Sequence, residues 1–202
     1  EKIALAAALS HPVKKPAVPL QYVGALSRFA WKEGREEKHL LIILSGPEPQ
    51  RTLLEKIVVN DLKNYTAPVV LVRGLPQTTE NIAVAANVIV YNHLPSIDLE
   101  EKMLEASFVI SRCGYSTVMD LAVLKKKSIL IPTPGQTEQQ YLASHLMKRN
   151  FALCVAQKRF RLKNALELAQ SFPYHVEAPQ KHNLDTAINL LIKDIATRSS
   201  AP

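Results

Sequence analysis

Short apolar runs alternate along the chain with longer stretches in which apolar positions recur every three or four residues. The runs at 40–45, 69–73, 88–91, 108–111, 129–131 and 153–156 are continuous or β-branched and lie between breakers, the pattern of strands buried on both faces. Helical periodicity fills most gaps: "QRTLLEKIVVNDLKN", with Leu54, Ile57, Val58 and Asp61 on successive turns, then "SIDLEEKMLEA", "TVMDLAVLKK", "TEQQYLASHLMKRN" and "LKNALELAQSF". A last helix over 183–197 gathers Leu184, Ile188, Leu191, Ile192 and Ile195 on one face. The link "GLPQTTENIAVAAN" carries too little helical signal to assign. Strands alternating with helices predict an α/β fold, a Rossmann-like doubly wound parallel sheet with helices on both faces.

The first 39 residues break the pattern. They are proline-rich early, charged late, and hold one strand-like piece at 21–23. We read 1–39 as an arm and interdomain linker, and 40–202 as the folded domain. A length of 202 residues with 47% apolar composition suffices for a full core. No apolar stretch approaches the roughly 18 residues of a membrane span. "IALAAALS" lacks a basic leader and a following cleavage site, which reads against a signal peptide, and a start at Glu1 rather than Met hints at a fragment.

Charge narrows the ligand more than it narrows the fold. A net charge of +7 suits an anionic ligand, an acidic lipid surface or nucleic acid. The densest cluster, "LKKKS", reads as a helix C-terminus favoured by the helix dipole. Cys113 and Cys154 lie in apolar contexts and read as buried reduced thiols of a cytoplasmic protein, with a disulfide or a nucleophile as the alternatives. The histidines show no metal-ligand spacing, so neither a metal nor another cofactor is expected.

In open parallel sheets the ligand crevice lies at the carboxyl ends of the strands. The residues there are "SGPEPQRT", "RGLPQT", "NHLPS", "RCGYST" and "PTPGQTEQQ". They contain no GxGxxG, GxxxxGK[ST] or GxSxG, and no Asp-x-Asp pair, which excludes a dinucleotide fingerprint, a P-loop, a hydrolase elbow and a metal held by paired aspartates. The remainder is polar, amide-rich and partly basic, suited to a hydroxylated, phosphorylated ligand. A strand running into Gly114 and a helix start directs backbone N–H groups at an anion. Thr117 and Asp120 at that start also fit a capping box, and Gly114 also fits a left-handed turn.

The run Arg112, Cys113, Gly114, Thr117, Val118 and Asp120, followed by Gln139, Gln140 and Tyr141, resembles the C-terminal, nucleotide-sugar-binding half of GT-B glycosyltransferases. The likeness is to glycosyltransferase family 28, which holds the bacterial peptidoglycan N-acetylglucosaminyltransferases. It spans residues 40 to 160. It implies that Arg112, Gly114, Ser116 and Thr117 receive the diphosphate of a UDP-sugar, that Asp120 accepts hydrogen bonds from ribose hydroxyls, that the backbone around Leu94 reads uracil, and that Gln139 and Gln140 hold the sugar. Gln139 and Gln140 also fit a solvated first helical turn.

The first loop departs from the family. Where the family is glycine-rich, "SGPEPQRT" has Pro47 and Pro49, which lack N–H groups. Arg51 is the expected substitute for phosphate contact, unless the loop faces the acceptor instead.

The resemblance implies transfer of an N-acetylhexosamine by a protein with a further N-terminal domain, cytoplasmic or peripheral at the inner face of the membrane, with a membrane-associated acceptor and no nucleic-acid partner. A donor subunit working with a separate acceptor subunit is the variant, and the linker-like first 39 residues argue against it. No catalytic residue is assigned: His93 is the one histidine at a strand end, and nothing in the sequence orients it as a base. The expected fragment alone is therefore inactive. The alternatives are half of a nucleotide-sugar epimerase and a non-enzymatic α/β nucleotide-binding module.

Overall fold

In the computed structural model, residues 20–30, 37–176 and 184–199 are described continuously, and 5, 9, 14, 16–18 and 32 as isolated positions besides. Six strands form one parallel sheet: β1 (His39–Ile43), β2 (Val69–Val72), β3 (Val88–Tyr91), β4 (Ala106–Arg112), β5 (Ser128–Ile131) and β6 (Leu153–Cys154). Their spatial order is β3-β2-β1-β4-β5-β6. The central strand β1 pairs with β2 through Leu41 and Val70 and with β4 through Leu41 and Val109.

The helices are α1 (Gln50–Leu62), α2 (Ser96–Leu104), α3 (Tyr115–Val123), α4 (Thr137–Lys148), α5 (Leu162–Ser171) and α6 (Leu184–Ser199). Because side chains alternate across a strand, the sheet feeds two cores. Leu40, Ile42 and Leu44 join Leu54, Val58 and Leu62 of α1 and Leu162, Ala165 and Ala169 of α5. Leu41, Val70 and Val109 turn the other way, onto Leu99 and Met103 of α2, Val118 and Leu121 of α3, and Leu142 and Leu146 of α4. Asp61, on the same helix stripe, accepts the Leu162 N–H at 2.8 Å and so fixes the start of α5 against the end of α1.

All six predicted strands and six predicted helices are present, and the differences have local causes. The third strand begins after a non-helical link held by side-chain amides: Asn92 donates to the link's Thr78 and Glu80 carbonyls, and Asn87 at its end donates to the Tyr65 and Ala67 carbonyls of the loop before β2. No strand forms at 21–23. Instead Ala25 and Phe29 enter the second core, so part of the segment read as an arm packs onto the domain. Asn183 lies outside the described residues. The shared apolar face of α6 is not covered: Ile188, Leu191, Ile192 and Ile195 are exposed.

Both cysteines are free thiols. Burial pushes the Cys113 thiol up to about 12, and Cys154 is raised for the same reason. A group so far from the thiolate is a poor nucleophile.

Candidate functional site

The strand order brings the ends of β2, β1, β4 and β5 side by side. The first of these loops carries its own carboxylate. Besides its two prolines, it places Glu48 at the start of α1, where the carboxylate accepts the Thr52 N–H at 3.1 Å and Arg51 Nε at 2.6 Å. The hydrogen bonds from Arg51 and Thr52 hold the Glu48 carboxyl below the usual range. The dipole end that a glycine-rich loop would offer to phosphate thus faces a carboxylate of the protein itself.

Arg51 is engaged in the same way. Its Nη2 donates to Thr52 Oγ1 at 2.6 Å, and its Nη1 lies 3.2 Å from Glu55 and donates to the Arg73 carbonyl at 3.4 Å. The guanidinium expected to reach phosphate is buried and satisfied by protein. Arg73, next to it, donates Nε to Glu55 Oε1 at 2.6 Å and Nη1 to Asn92 Oδ1 at 2.8 Å. Glu55 therefore serves two buried arginines, one from its own helix and one from the end of β2. Gly74 permits this closeness: a Cβ there would stand 2.3 Å from the Leu44 carbonyl oxygen.

One strand over, Arg112 ends β4 in a different setting. It is 2% exposed and takes part in no ion pair among the described residues. Its Nη2 donates to the Gln50 carbonyl at 2.6 Å and its Nη1 to that of Ile131 at 3.4 Å, while Nε has no partner. Burial lowers its pKa to about 10. A Cβ built on Gly46, whose φ is +100°, would sit 4.0 Å from Nε and 3.7 Å from Thr133 Oγ1. The unpaired N–H therefore lies against the loops after β1 and β5.

Helix α3 starts three residues beyond Arg112. Its N-cap is Gly114 with φ −84° and no side-chain cap. This corrects both local readings: Gly114 is not left-handed, and the first turn is not a capping box, because Thr117 stands inside the helix. A Cβ on Gly114 would touch only Thr117 Oγ1, at 4.0 Å. Neither strain nor crowding within the chain requires glycine there. Ser116 is exposed and Thr117 half-buried in the same open turn.

After β5, Gln139 folds back on its own loop. Its Oε1 accepts the Thr133 N–H at 3.0 Å and the Thr133 hydroxyl at 3.1 Å, and its amide nitrogen donates to Gln136. Gln140 is exposed at the surface of α4. The structure brings Gly46, Arg112, Thr133 and Gln139 into one group.

A second group forms at Asp120, two turns into α3. The carboxylate is buried; Oδ1 accepts the Ser27 hydroxyl at 2.6 Å, and Oδ2 lies 3.5 Å from Arg28 Nε. Desolvation raises the Asp120 pKa, opposed by the hydrogen bonds and charge of Ser27 and Arg28. Arg28 Nη1 also donates to Ser96 Oγ at 3.1 Å, at the start of α2. Leu94, two residues earlier, is buried in the loop after β3. His93 is exposed.

The sequence reading missed Glu48, Glu55, Arg73, Thr133, Ser27 and Arg28. Glu48, Arg73 and Thr133 stood in the strand-end loops already quoted, and position was their signal. Ser27 and Arg28 had none, because a segment without periodicity reads as linker. A depression of about 840 Å³ lies elsewhere, between α1 and α5, lined by Asp61, Tyr65, Ser107, Arg161 and Lys163, and none of the expected residues borders it.

The glycosyltransferase family 28 C-terminal domain matches residues 35–195. The chain belongs to that family. This family 28 domain is 37% identical over 87 residues to the UDP-N-acetylglucosamine–N-acetylmuramyl-(pentapeptide) pyrophosphoryl-undecaprenol N-acetylglucosamine transferase of Methylorubrum extorquens, covering 42% of the domain's chain and 22% of the relative. It is 24% identical over 176 residues to the enzyme of the same name from Clostridium perfringens, covering 82% of this chain and 48% of that one. The chain thus spans at most about half the length of these curated relatives. Among solved structures, MurG of Acinetobacter baumannii superposes with a TM-score of 0.50 at 20% identity, over 69% of this chain and 42% of that one. That likeness is one of fold, the GT-B α/β arrangement. No helix among the described residues is long and apolar enough to cross a membrane.

Proposed function

We propose that this family 28 domain is the donor-binding half of a glycosyltransferase that takes a UDP-N-acetylhexosamine and passes the sugar to an acceptor held by a further domain. The observation that carries the reading is Arg112, a buried cation with no carboxylate beside it among the described residues, at the entrance to an uncapped helix whose Gly114 leaves room for a ligand to approach the backbone. Burying an unpaired charge is costly. A diphosphate at the mouth of α3 supplies the missing anion to Arg112 and to the free N–H groups of that helix.

In such a transfer the acceptor hydroxyl attacks the anomeric carbon while the bond from that carbon to the diphosphate oxygen breaks. Negative charge develops on the leaving diphosphate, and Arg112 with the first turn of α3 is placed to stabilise it. Asp120 accepts hydrogen bonds from the ribose diol, the loop at Leu94 reads the base, and Gln139, whose Oε1 is taken by Thr133 and one amide N–H by Gln136, offers the sugar its second amide N–H. Gln140, exposed on the same helix, is its second amide contact.

The base that deprotonates the acceptor belongs to the other domain, with residues 1–39 as the connection, so the 202-residue chain alone transfers nothing. The names of the relatives specify a lipid-linked acceptor. The same class of acceptor for this protein places it peripherally at the inner face of a membrane.

The reading is tested by melting curves. UDP at 100 times its dissociation constant adds about 2.7 kcal/mol, and a chain of this size gains roughly 2–4 °C per kcal/mol. A rise of roughly 5–11 °C with UDP and none with ADP is the expected result. Equal shifts from both nucleotides, or a shift from ADP alone, overturn the assignment.

Gln139 gives a second prediction. A neutral hydrogen bond contributes about 0.5–1.5 kcal/mol, so Gln139→Ala weakens UDP-N-acetylglucosamine by roughly 2- to 10-fold and UDP itself by less. Titration calorimetry with both ligands measures the difference, and equal losses place Gln139 away from the sugar.

A further inference from the structure

Asp120 is held by residues far from it in sequence, and the details of that hold go beyond what the proposed donor site requires. Ser27 is fixed at both ends. Its Oγ accepts the Phe29 N–H at 3.0 Å, which leaves its single proton to be donated, and that proton goes to Asp120 Oδ1 at 2.6 Å. The segment cannot drift, because Ala25 and Phe29 on either side are buried in the core that also contains Val118 and Leu121 of α3. The Arg28 guanidinium lies 4.8 Å over the Phe29 ring while it spans Asp120 and Ser96. An ionised carboxylate offers about four acceptor positions. Ser27 takes a position on Oδ1, and Arg28 engages the carboxylate through its guanidinium at Oδ2 and through its backbone N–H, so the positions left over are few and fixed in direction.

We propose that Ser27 is a positioning residue for the donor: its hydroxyl orients the Asp120 carboxylate so that the free acceptor positions meet the ribose hydroxyls. The segment before β1 is then a wall of the donor site, and its placement sets how well the site recognises a ribonucleotide. The inference rests on the proposed UDP site and adds a residue that never touches the nucleotide. It also gives the burial of Asp120 a consequence: a carboxylate fixed beforehand loses less freedom when the diol arrives.

The test is titration calorimetry of the 202-residue chain with UDP and with 2′-deoxy-UDP, on the wild type, Ser27→Ala, Ser27→Thr, Asp120→Asn and the double variant Ser27→Ala/Asp120→Asn. The expected result is a loss of about 3- to 10-fold in UDP affinity for Ser27→Ala, the size of one oriented hydrogen bond. The loss for 2′-deoxy-UDP is smaller, Ser27→Thr restores UDP binding, and the double variant is no weaker than Asp120→Asn alone. Parallel losses for the two nucleotides, or additive losses in the double variant, overturn the positioning role and leave the UDP site standing. If the wild type binds neither nucleotide, the donor assignment itself falls and takes this inference with it. If Ser27→Ala does not fold, the comparison of Ser27→Thr with Asp120→Asn decides: Ser27→Thr must keep the preference for UDP over 2′-deoxy-UDP that Asp120→Asn loses, and a Ser27→Thr protein without that preference refutes the proposal.

Discussion

Glu55→Ala destabilises the chain by about 3–5 kcal/mol, the largest effect expected of any polar substitution here. The side chain of Glu55 is nearly buried and its two oxygens serve Arg73 Nε at 2.6 Å and Arg51 Nη1 at 3.2 Å. Removing it leaves two buried guanidinium groups without their common carboxylate, and the cost is that of uncompensated charge rather than of lost attraction. Arg51 retains the exposed Glu48, whereas Arg73 retains only neutral partners, Asn92 and the Glu80 carbonyl. Urea unfolding measures the change. A loss below about 1 kcal/mol, the usual worth of an exposed pair, would mean that water reaches this network and that it does not brace the strand ends. Because β2 and α1 are tied together here, the variant is also expected to bind nucleotide more weakly even where it remains folded.

Arg112→Met separates binding from stability in the opposite sense. Arg112 has no carboxylate partner among the described residues, so its removal strands no buried charge there. Only the Gln50 and Ile131 carbonyls lose donors, a cost of about 1–3 kcal/mol that is offset in part by relief of the guanidinium's desolvation. The diphosphate, by contrast, loses its buried cation. A hydrogen bond to a charged group contributes about 1.5–3 kcal/mol, so UDP affinity is expected to fall by roughly 10- to 100-fold while uridine, which has no phosphate, binds as before. Calorimetry with the two ligands distinguishes the outcomes. Equal weakening of UDP and uridine would make Arg112 a brace between the loops after β1 and β5 rather than a counter-charge for phosphate.

The two predictions concern arginines that look alike in the sequence. Arg73 and Arg112 each end an apolar run and each precede a glycine within two residues. Both stand in strand-end loops, and the likeness to family 28 singled out Arg112 while Arg73 was passed over. What distinguishes them physically is the helix each one meets. Arg73 faces α1, which offers Glu55. Arg112 meets the start of the same helix, where the nearest acceptor is the main-chain carbonyl of Gln50. Arg51 shows the same limit in reverse. It was expected at phosphate because the prolines left that loop without donors, and the structure pairs it with Glu48, three residues before it, and Glu55, four residues after.

The sequence by itself determined the sheet and its helices, because a strand buried on both faces needs an unbroken apolar run and a helix covering it needs a period near 3.6, and both patterns are local. It also brought the loops after the strands together as the place to look for a site, since in a parallel sheet they gather at one edge. Only the tertiary structure decided which charges are paired. That choice depends on the strand order β3-β2-β1-β4-β5-β6, which sets Glu55 against Arg73 and leaves Arg112 alone. It depends also on the segment before β1, which folds onto α3 and brings Ser27 to Asp120 across 93 positions of chain. Contacts of that range have no periodicity to announce them: they form because Ala25 and Phe29 find an apolar surface that exists only once the sheet and α3 have packed.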